Sequence, residues 1–299
     1  TLPFARLRTA AEPRSPRGIS PTADQEIRDL PVRLLIITDA WFPQINGVVR
    51  TLSTTRDKLI ERGHEVEVLG PDRFRNVPCP TYPEIRLALC TPVSVGRHIE
   101  AAAPEAVHIA TEGPLGWAAR SWLKRRRLPF TSSFHTMFPQ YLKLRFGLPE
   151  TVSFSGIRRF HDGARATMYS TPTLRAMLEE HGFGNLKRWV RGVDTDVFTP
   201  GPAEPLPYAR PIQLYVGRIA VEKSIEDFLR LDTPGTKVVV GDGPQREELT
   251  ARYPEVKFLG TRRGDDLVRH YRAADVFVFP SRTDTLGLVM LEAMGCGVP

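Results

Sequence analysis

Cysteine is scarce in this chain: three in 299 residues, at Cys79, Cys90 and Cys296. Such wide spacing supplies neither a disulfide framework nor a zinc-ligand set, and it suits a reducing compartment. No apolar run approaches the ~20 residues that a membrane-spanning helix needs. The first thirty residues contain no apolar stretch of the kind a secretory signal requires. The sequence has no Gly-x-Ser-x-Gly elbow for a serine nucleophile and no Gly-x-Gly-x-x-Gly fingerprint. His108, His161 and His181 are scattered, so no metal-ligand cluster is expected. Acidic residues are outnumbered, 34 against 41 Lys and Arg, which leaves a net charge of +7 and a pI near 9.5. That balance favours anionic partners. The basic residues are dispersed rather than gathered in a tract, and no nucleic-acid partner is expected.

What is present is an ordinary soluble composition, 41% hydrophobic and 25% charged, long enough for two domains. Residues 1–30, rich in Pro, Arg, Ser and Ala without an amphipathic period, read as a disordered leader. From residue 31 the pattern changes. Val32–Thr38 is a nearly continuous apolar run, as a strand buried on both faces requires. The loop Phe42-Pro43-Gln44-Ile45-Asn46-Gly47 follows, then a helical pattern from Val48 to Arg62 and a strand at Glu65–Leu69, which completes a βαβ unit. Strand and helix patterns keep alternating to about residue 198. A proline-rich linker spans 199–211, and a second series begins at Ile212 with strands at 212–216, 237–240, 256–259 and 274–279. The expected fold is α/β. An N-terminal domain over 31–198 and a C-terminal domain over 212–299 each carry a mostly parallel, doubly wound sheet. Because the chain starts at Thr1 and stops at Gly297-Val298-Pro299 just past a helical pattern, both ends read as truncated, and the second domain as incomplete.

Two stretches carry the chemistry. In Tyr215-Val-Gly-Arg-Ile-Ala-Val-Glu-Lys-Ser224, a buried strand ends at Gly217, with Arg218 on the loop and Lys223 at the next helix. Two cations at the carboxyl edge of a parallel sheet suit a diphosphate whose charge grows as its bond to a sugar breaks. Equally, they could be surface cations paired with Glu222 or Glu226. The second stretch runs from Phe279 to Met294. Asp284 precedes Gly287 at a helix mouth, where the N–H groups of Gly287, Leu288 and Val289 would make an anion site. Glu292 lies two turns on, among Leu288, Val289, Leu291 and Met294, a neighbourhood that argues against a freely solvated carboxylate. The plainer alternative makes Asp284 an N-terminal cap and Glu292 an exposed charge.

At these stretches the chain resembles the retaining family-four glycosyltransferases, over residues 31–299. The resemblance implies the GT-B architecture of two Rossmann-like domains facing across a cleft. It implies that Arg218 and Lys223 hold the donor diphosphate, that Asp284 takes hydroxyls of the donor sugar, and that Glu292 takes the ribose. Asp284 in Thr-Asp-Thr is similar to the glycolipid-directed mannosyl- and sulfoquinovosyltransferase branches, although the family more often has Glu there; Leu286 replaces the usual Phe. Gly47 resembles the N-terminal glycine loop over the donor phosphates, and His135, in His-Thr-Met-Phe-Pro, the active-site histidine. Gly241 and Gly243 resemble the glycine turn beside the nucleotide, and Arg262 lies where relatives approach the base. The turn Arg191-Gly192-Val193-Asp194 resembles the interdomain turn, so Asp194-Thr195-Asp196 is not read as a metal-binding motif.

The implied activity is transfer of a hexose, of mannose or glucose type, from a GDP- or UDP-sugar to a hydroxyl acceptor, with retention. The sugar nucleotide is a co-substrate, and neither cofactor nor metal is expected. The acceptor is a lipid or glycan of cell-envelope glycoconjugates, contacted by Thr111-Glu112-Gly113-Pro114 and residues 136–146. Alternatives are a non-catalytic nucleotide-sugar-binding protein and a GT-B nucleotide-sugar epimerase. The expected location is the cytoplasm. The cluster Lys124–Arg127, preceded by Trp117 and Trp122, is either a solvated helix end or a patch for an anionic membrane surface with tryptophans near the head groups.

Overall fold

The computed structural model describes residues 30–44, 46–79 and 82–299; all of the expected leader except Leu30 lies outside the described residues. Strands and helices follow one another as β1 (Arg33–Ile37), α1 (Gly47–Glu61), β2 (Glu65–Leu69), β3 (Asn76–Cys79), β4 (Tyr82–Ala88), α2 (Pro92–Ala102), β5 (Ala106–Ile109), α3 (Pro114–Arg125) and β6 (Thr131–Ser133). Then come α4 (Phe138–Phe146), α5 (Glu150–His161), β7 (Thr167–Tyr169), α6 (Pro172–Glu180) and β8 (Leu186–Arg188). The series closes with β9 (Ile212–Val216), α7 (Ile225–Leu229), β10 (Thr236–Val240), α8 (Arg246–Arg252), β11 (Lys257–Gly260), α9 (Gly264–Ala273), β12 (Val276–Phe277) and α10 (Leu288–Gly295). Among the described residues, no helix is long and apolar enough to cross a membrane.

The chain forms two compact units. The first holds the residues up to His135 together with Phe154–Trp189; the second holds Thr136–Ser153 and Val190–Pro299. The contacts thus place α4 with the C-terminal unit, where it packs on the 3-10 turn Val221–Lys223, whereas the sequence order had grouped residues 136–146 with the N-terminal domain.

In the first unit, six parallel strands take the order β2-β1-β5-β6-β7-β8. Its helices start where their sequences dictate. Asn46 caps α1 by accepting from the Val48 and Val49 amides, both at 3.0 Å. Thr91 and Ser94 form a capping box on α2, and Pro92, Pro114 and Pro172 each open a helix where a missing N–H costs nothing. The antiparallel pair β3–β4 was not anticipated, because Pro78 and the mixed polarity of residues 76–88 hide its alternation.

In the second unit the order is β11-β10-β9-β12, again parallel. Alternate residues of its central strands feed two cores. Ile212, Leu214, Val216, Val238 and Val240 pack with Tyr271 and Ala293 from α9 and α10. Tyr215 and Val239 pack with Ile225, Phe228 and Leu249 from α7 and α8. The period of two along each strand therefore produces a sheet covered on both faces. Gln213, the polar residue inside β9, is tolerated because its amide donates to the Pro234 carbonyl at 2.8 Å and accepts from the Thr233 hydroxyl at 2.8 Å.

The basic cluster corrects one expectation. Trp122 is 3% exposed and sits in the core, with the Arg126 guanidinium stacked 4.2 Å over its ring. It is therefore not available to a head-group region. Lys124 and Arg125 form the last turn of α3, where cations complement the helix dipole.

Candidate functional site

In the second sheet the strand order reverses at β9: β10 lies on one side and β12 on the other. Loops leaving the carboxyl ends of β9 and β12 diverge there, and such switch points are where doubly wound sheets bind ligands. The β9 loop carries Arg218 and Lys223, and the β12 loop carries Asp284. Several bonds fix the first of these. The Tyr215 hydroxyl donates to the Arg218 carbonyl at 2.7 Å, and the Ile219 amide donates to the Asp242 carbonyl at 2.9 Å. Gly241 has φ +143, and a Cβ there would lie 1.9 Å from the Gly217 carbonyl oxygen, so only glycine lets the two turns touch backbone to backbone. A single 3-10 turn, Val221–Lys223, then delivers the lysine.

Lys223 and Asp284, sixty-one positions apart, meet here: Nζ donates to Oδ1 at 2.6 Å, with the two side chains 17% and 23% exposed. Beside them the Thr283 hydroxyl donates to the Glu222 carbonyl at 2.8 Å. Burial alone would push the lysine down, but Tyr141, Asp284 and Glu222 hold its pKa above the ordinary value. The second oxygen of Asp284, Oδ2, is buried and has no hydrogen-bond partner among the described residues. A carboxylate oxygen in that state is an acceptor waiting for a donor. Gly287, three residues on, adopts φ +72, and a Cβ would press on the Phe279 ring at 2.9 Å. It turns the chain into α10, whose first N–H groups have no partner within the helix. The amides at Gly287, Leu288 and Val289 lie three to five residues beyond Asp284, a chain reach of at most about 10 to 18 Å from it.

Glu292 is 2% exposed and accepts from the Tyr271 hydroxyl at 2.9 Å, which excludes the solvated-charge alternative. Met294, offered as part of its apolar surroundings, is instead 70% exposed. Gly243 follows Gly241 in the turn against the β9 loop. Arg262, beyond β11, lies with Nε 3.5 Å from Asp266 Oδ2, one helical turn away. The Asp194 carboxylate accepts from the Asp196 amide at 3.0 Å, a local turn.

The first unit contains the other candidates. Gly47 is the first residue of α1, and His135 is buried just beyond β6, edge-on to Trp189 with ring centroids 5.4 Å apart. At this sheet's own reversal, between β1 and β5, lies Asp39, which sequence reasoning missed. Its carboxylate accepts from the Leu115 amide at 2.8 Å, the Gly116 amide at 3.2 Å and the Thr111 hydroxyl at 3.0 Å. Burial raises its pKa to about 6, against the pull of those three donors. Nothing near Asp39 in sequence points to this role, since its partners lie more than seventy residues away. Next to it, buried Glu112 meets His161 Nε2 at 3.1 Å, and His161 Nδ1 meets Ser132 Oγ at 2.8 Å. His108, between Thr131 and Ser133 at 2.8 and 3.0 Å, is lowered to about 4 by burial and by His161.

Known proteins resemble this chain in sequence and fold. The chain is 29% identical to a GDP-mannose-dependent alpha-mannosyltransferase of Mycobacterium tuberculosis, over 90% of this chain and 78% of that one. It is 30% identical to a sulfoquinovosyl transferase of Arabidopsis thaliana over 94% of this chain, which spans 61% of that relative's length. An alpha-monoglucosyldiacylglycerol synthase of Acholeplasma laidlawii is 26% identical, over 90% of this chain and 79% of that one. Among solved structures, a sucrose-phosphate synthase from Thermosynechococcus elongatus superposes with a TM-score of 0.71 at 20% identity, covering 90% of this chain and 80% of that one. WaaG, a glycosyltransferase involved in lipopolysaccharide biosynthesis, gives 0.61 at 17%, covering 89% and 80%. These likenesses establish the GT-B fold. Residues 45–197 match the description Glycosyltransferase Family 4 and residues 210–299 match Glycosyl transferases group 1, so the chain belongs to glycosyltransferase family 4.

Proposed function

We infer that this glycosyltransferase moves a hexose from a nucleoside-diphosphate sugar to a hydroxyl acceptor, with retention of anomeric configuration and without a metal ion. The observation that carries this reading is the Lys223–Asp284 pair at the β9/β12 switch point, with Asp284 Oδ2 buried and unbonded. Lys223, with Arg218 on the same loop, takes the diphosphate. The ammonium now rests on Asp284, and a phosphate oxygen would draw it away while that carboxylate turns to the sugar hydroxyls. The amides at 287–289 complete the anion site. Glu292, held by Tyr271, takes the ribose; Gly241, Gly243 and Arg262 border the base and phosphates. Gly47 and His135 on the first unit keep the parts that the family resemblance gives them.

Charge stabilisation and orientation, rather than a covalent nucleophile, then lower the barrier. In a dissociative step the sugar–phosphate bond breaks toward an oxocarbenium-like centre. The departing phosphate accepts the proton of the attacking hydroxyl. Relatives named for GDP-mannose, for sulfoquinovose and for glucosyldiacylglycerol support a hexose donor and a lipid acceptor, with GDP-mannose the first donor to try.

The test is a transfer assay with GDP-mannose and UDP-glucose on wild type and Lys223→Ala. The variant should keep its melting temperature and lose about 10²–10³ in kcat, as removal of an oxyanion donor does elsewhere. Near-normal turnover by the folded variant would defeat the assignment.

A further inference from the structure

We propose that Glu112 selects the acceptor: its Oε2 takes a hydrogen bond from a hydroxyl of an uncharged acceptor, and its negative charge turns phosphate-bearing acceptors away. His161 is its positioning residue. The inference rests on the reading of the chain as a glycosyltransferase with a hydroxyl acceptor.

The geometry begins at the carboxyl edge of the first sheet. Glu112 follows β5, and its side chain is 1% exposed. One oxygen, Oε1, lies 3.1 Å from His161 Nε2; a carboxylate only accepts, so that nitrogen is the donor. The other ring nitrogen, Nδ1, lies 2.8 Å from Ser132 Oγ, itself 3.3 Å from Thr167 Oγ1. Both hydroxyl residues are buried, so the polar chain runs from Glu112 into the sheet and ends there. A serine–histidine–acid triad is thus inverted: the hydroxyl end is sealed, and the acid end carries the unmet capacity. Glu112 Oε2 is buried with no hydrogen-bond partner among the described residues. Leaving such an atom unbonded is costly, and only a hydrogen-bond donor relieves it. A second carboxylate stands beside it. Asp39 accepts from the hydroxyl of Thr111, the residue before Glu112, at 3.0 Å, and Glu112 helps to raise the Asp39 pKa. Two negative groups at one edge admit a neutral hydroxyl and repel a phosphate.

Transfer kinetics of the whole chain test this, with GDP-mannose and UDP-glucose as donors and neutral micelles carrying monoglucosyldiacylglycerol or phosphatidylinositol as acceptor. Both lipids present ring hydroxyls, but only the second has a phosphate. Wild type should prefer the neutral lipid about tenfold or more in kcat/KM. Glu112→Gln should lower kcat/KM for the neutral lipid about ten- to hundredfold, the range of a hydrogen bond to a charged group, and shrink the preference. Affinities for GDP and UDP, read by calorimetry, should not move. His161→Phe, whose ring suits the surrounding Phe134, Phe160 and Phe183, should act in the same direction by about three- to tenfold. Equal use of the two lipids by wild type, or transfer to neither, would overturn the proposal. So would wild-type acceptor kinetics in Glu112→Gln, the result expected if a buried water satisfies Oε2. Failure of GDP and UDP to bind, or normal turnover by Lys223→Ala, would take down the parent reading instead.

Discussion

Each unit places an aspartate where its parallel sheet reverses strand order, and the two are used differently. Asp39, between β1 and β5, is enclosed and takes three donors, two of them the opening amides of α3. Asp284, between β9 and β12, shares one oxygen with a lysine and leaves the other unbonded. A carboxylate whose acceptor capacity is filled by its own fold is a clamp; one whose capacity is half filled can answer to a ligand. The same topology therefore yields a mechanical joint in one unit and a candidate binding site in the other.

The comparison can be broken most directly through pH. Asp39 titrates near 6 in the folded chain against 3.8 for an ordinary carboxyl, so the folded state binds its proton more tightly. That contribution is fully present below about pH 4 and is lost as pH rises through 6, a swing of about 3 kcal/mol. His108, lowered to about 4 from 6.5, acts in the opposite sense: its contribution is present above about 6.5 and lost as pH falls toward 4. The two slopes nearly cancel in the wild type. Asp39→Asn should therefore gain stability relative to wild type between pH 4 and pH 6.5, measured as urea midpoints, with transfer activity largely kept. Loss of transfer with an unchanged pH profile would move the working carboxylate to the first unit.

A smaller effect is expected at the second unit's other buried carboxylate. Tyr271→Phe removes the phenol that bonds buried Glu292 and should cost about 2 kcal/mol in denaturant unfolding, with weaker nucleotide binding by calorimetry. Smallest is Thr111→Val, which keeps shape but deletes the hydroxyl that accepts from the Asp39 amide and donates to its carboxylate. About 1 kcal/mol should be lost, with no change in nucleotide affinity.

Much of this was legible in the residues. The apolar runs at 32–38 and 212–216 gave strands because buried parallel strands need no polar face. Lys223 and Asp284 stood out because cations and carboxylates at strand ends are costly unless they have work to do. The tyrosines were not legible. Tyr215 and Tyr271 look like core aromatics, and their hydroxyl partners lie at Arg218 and Glu292, contacts that no local pattern encodes. Position in the sequence also misled: residues 136–146 follow a first-unit strand, and only packing groups them with the second unit.

That interleaving has a consequence for how the molecule is made. Because Thr136–Ser153 belongs to one unit and Phe154–Trp189 to the other, neither is a continuous stretch of chain. A ribosome releasing the polypeptide from its amino end cannot complete the first unit before residue 189, and α4 emerges well ahead of the turn it will rest on. No single proteolytic cut could separate the two units with all their parts.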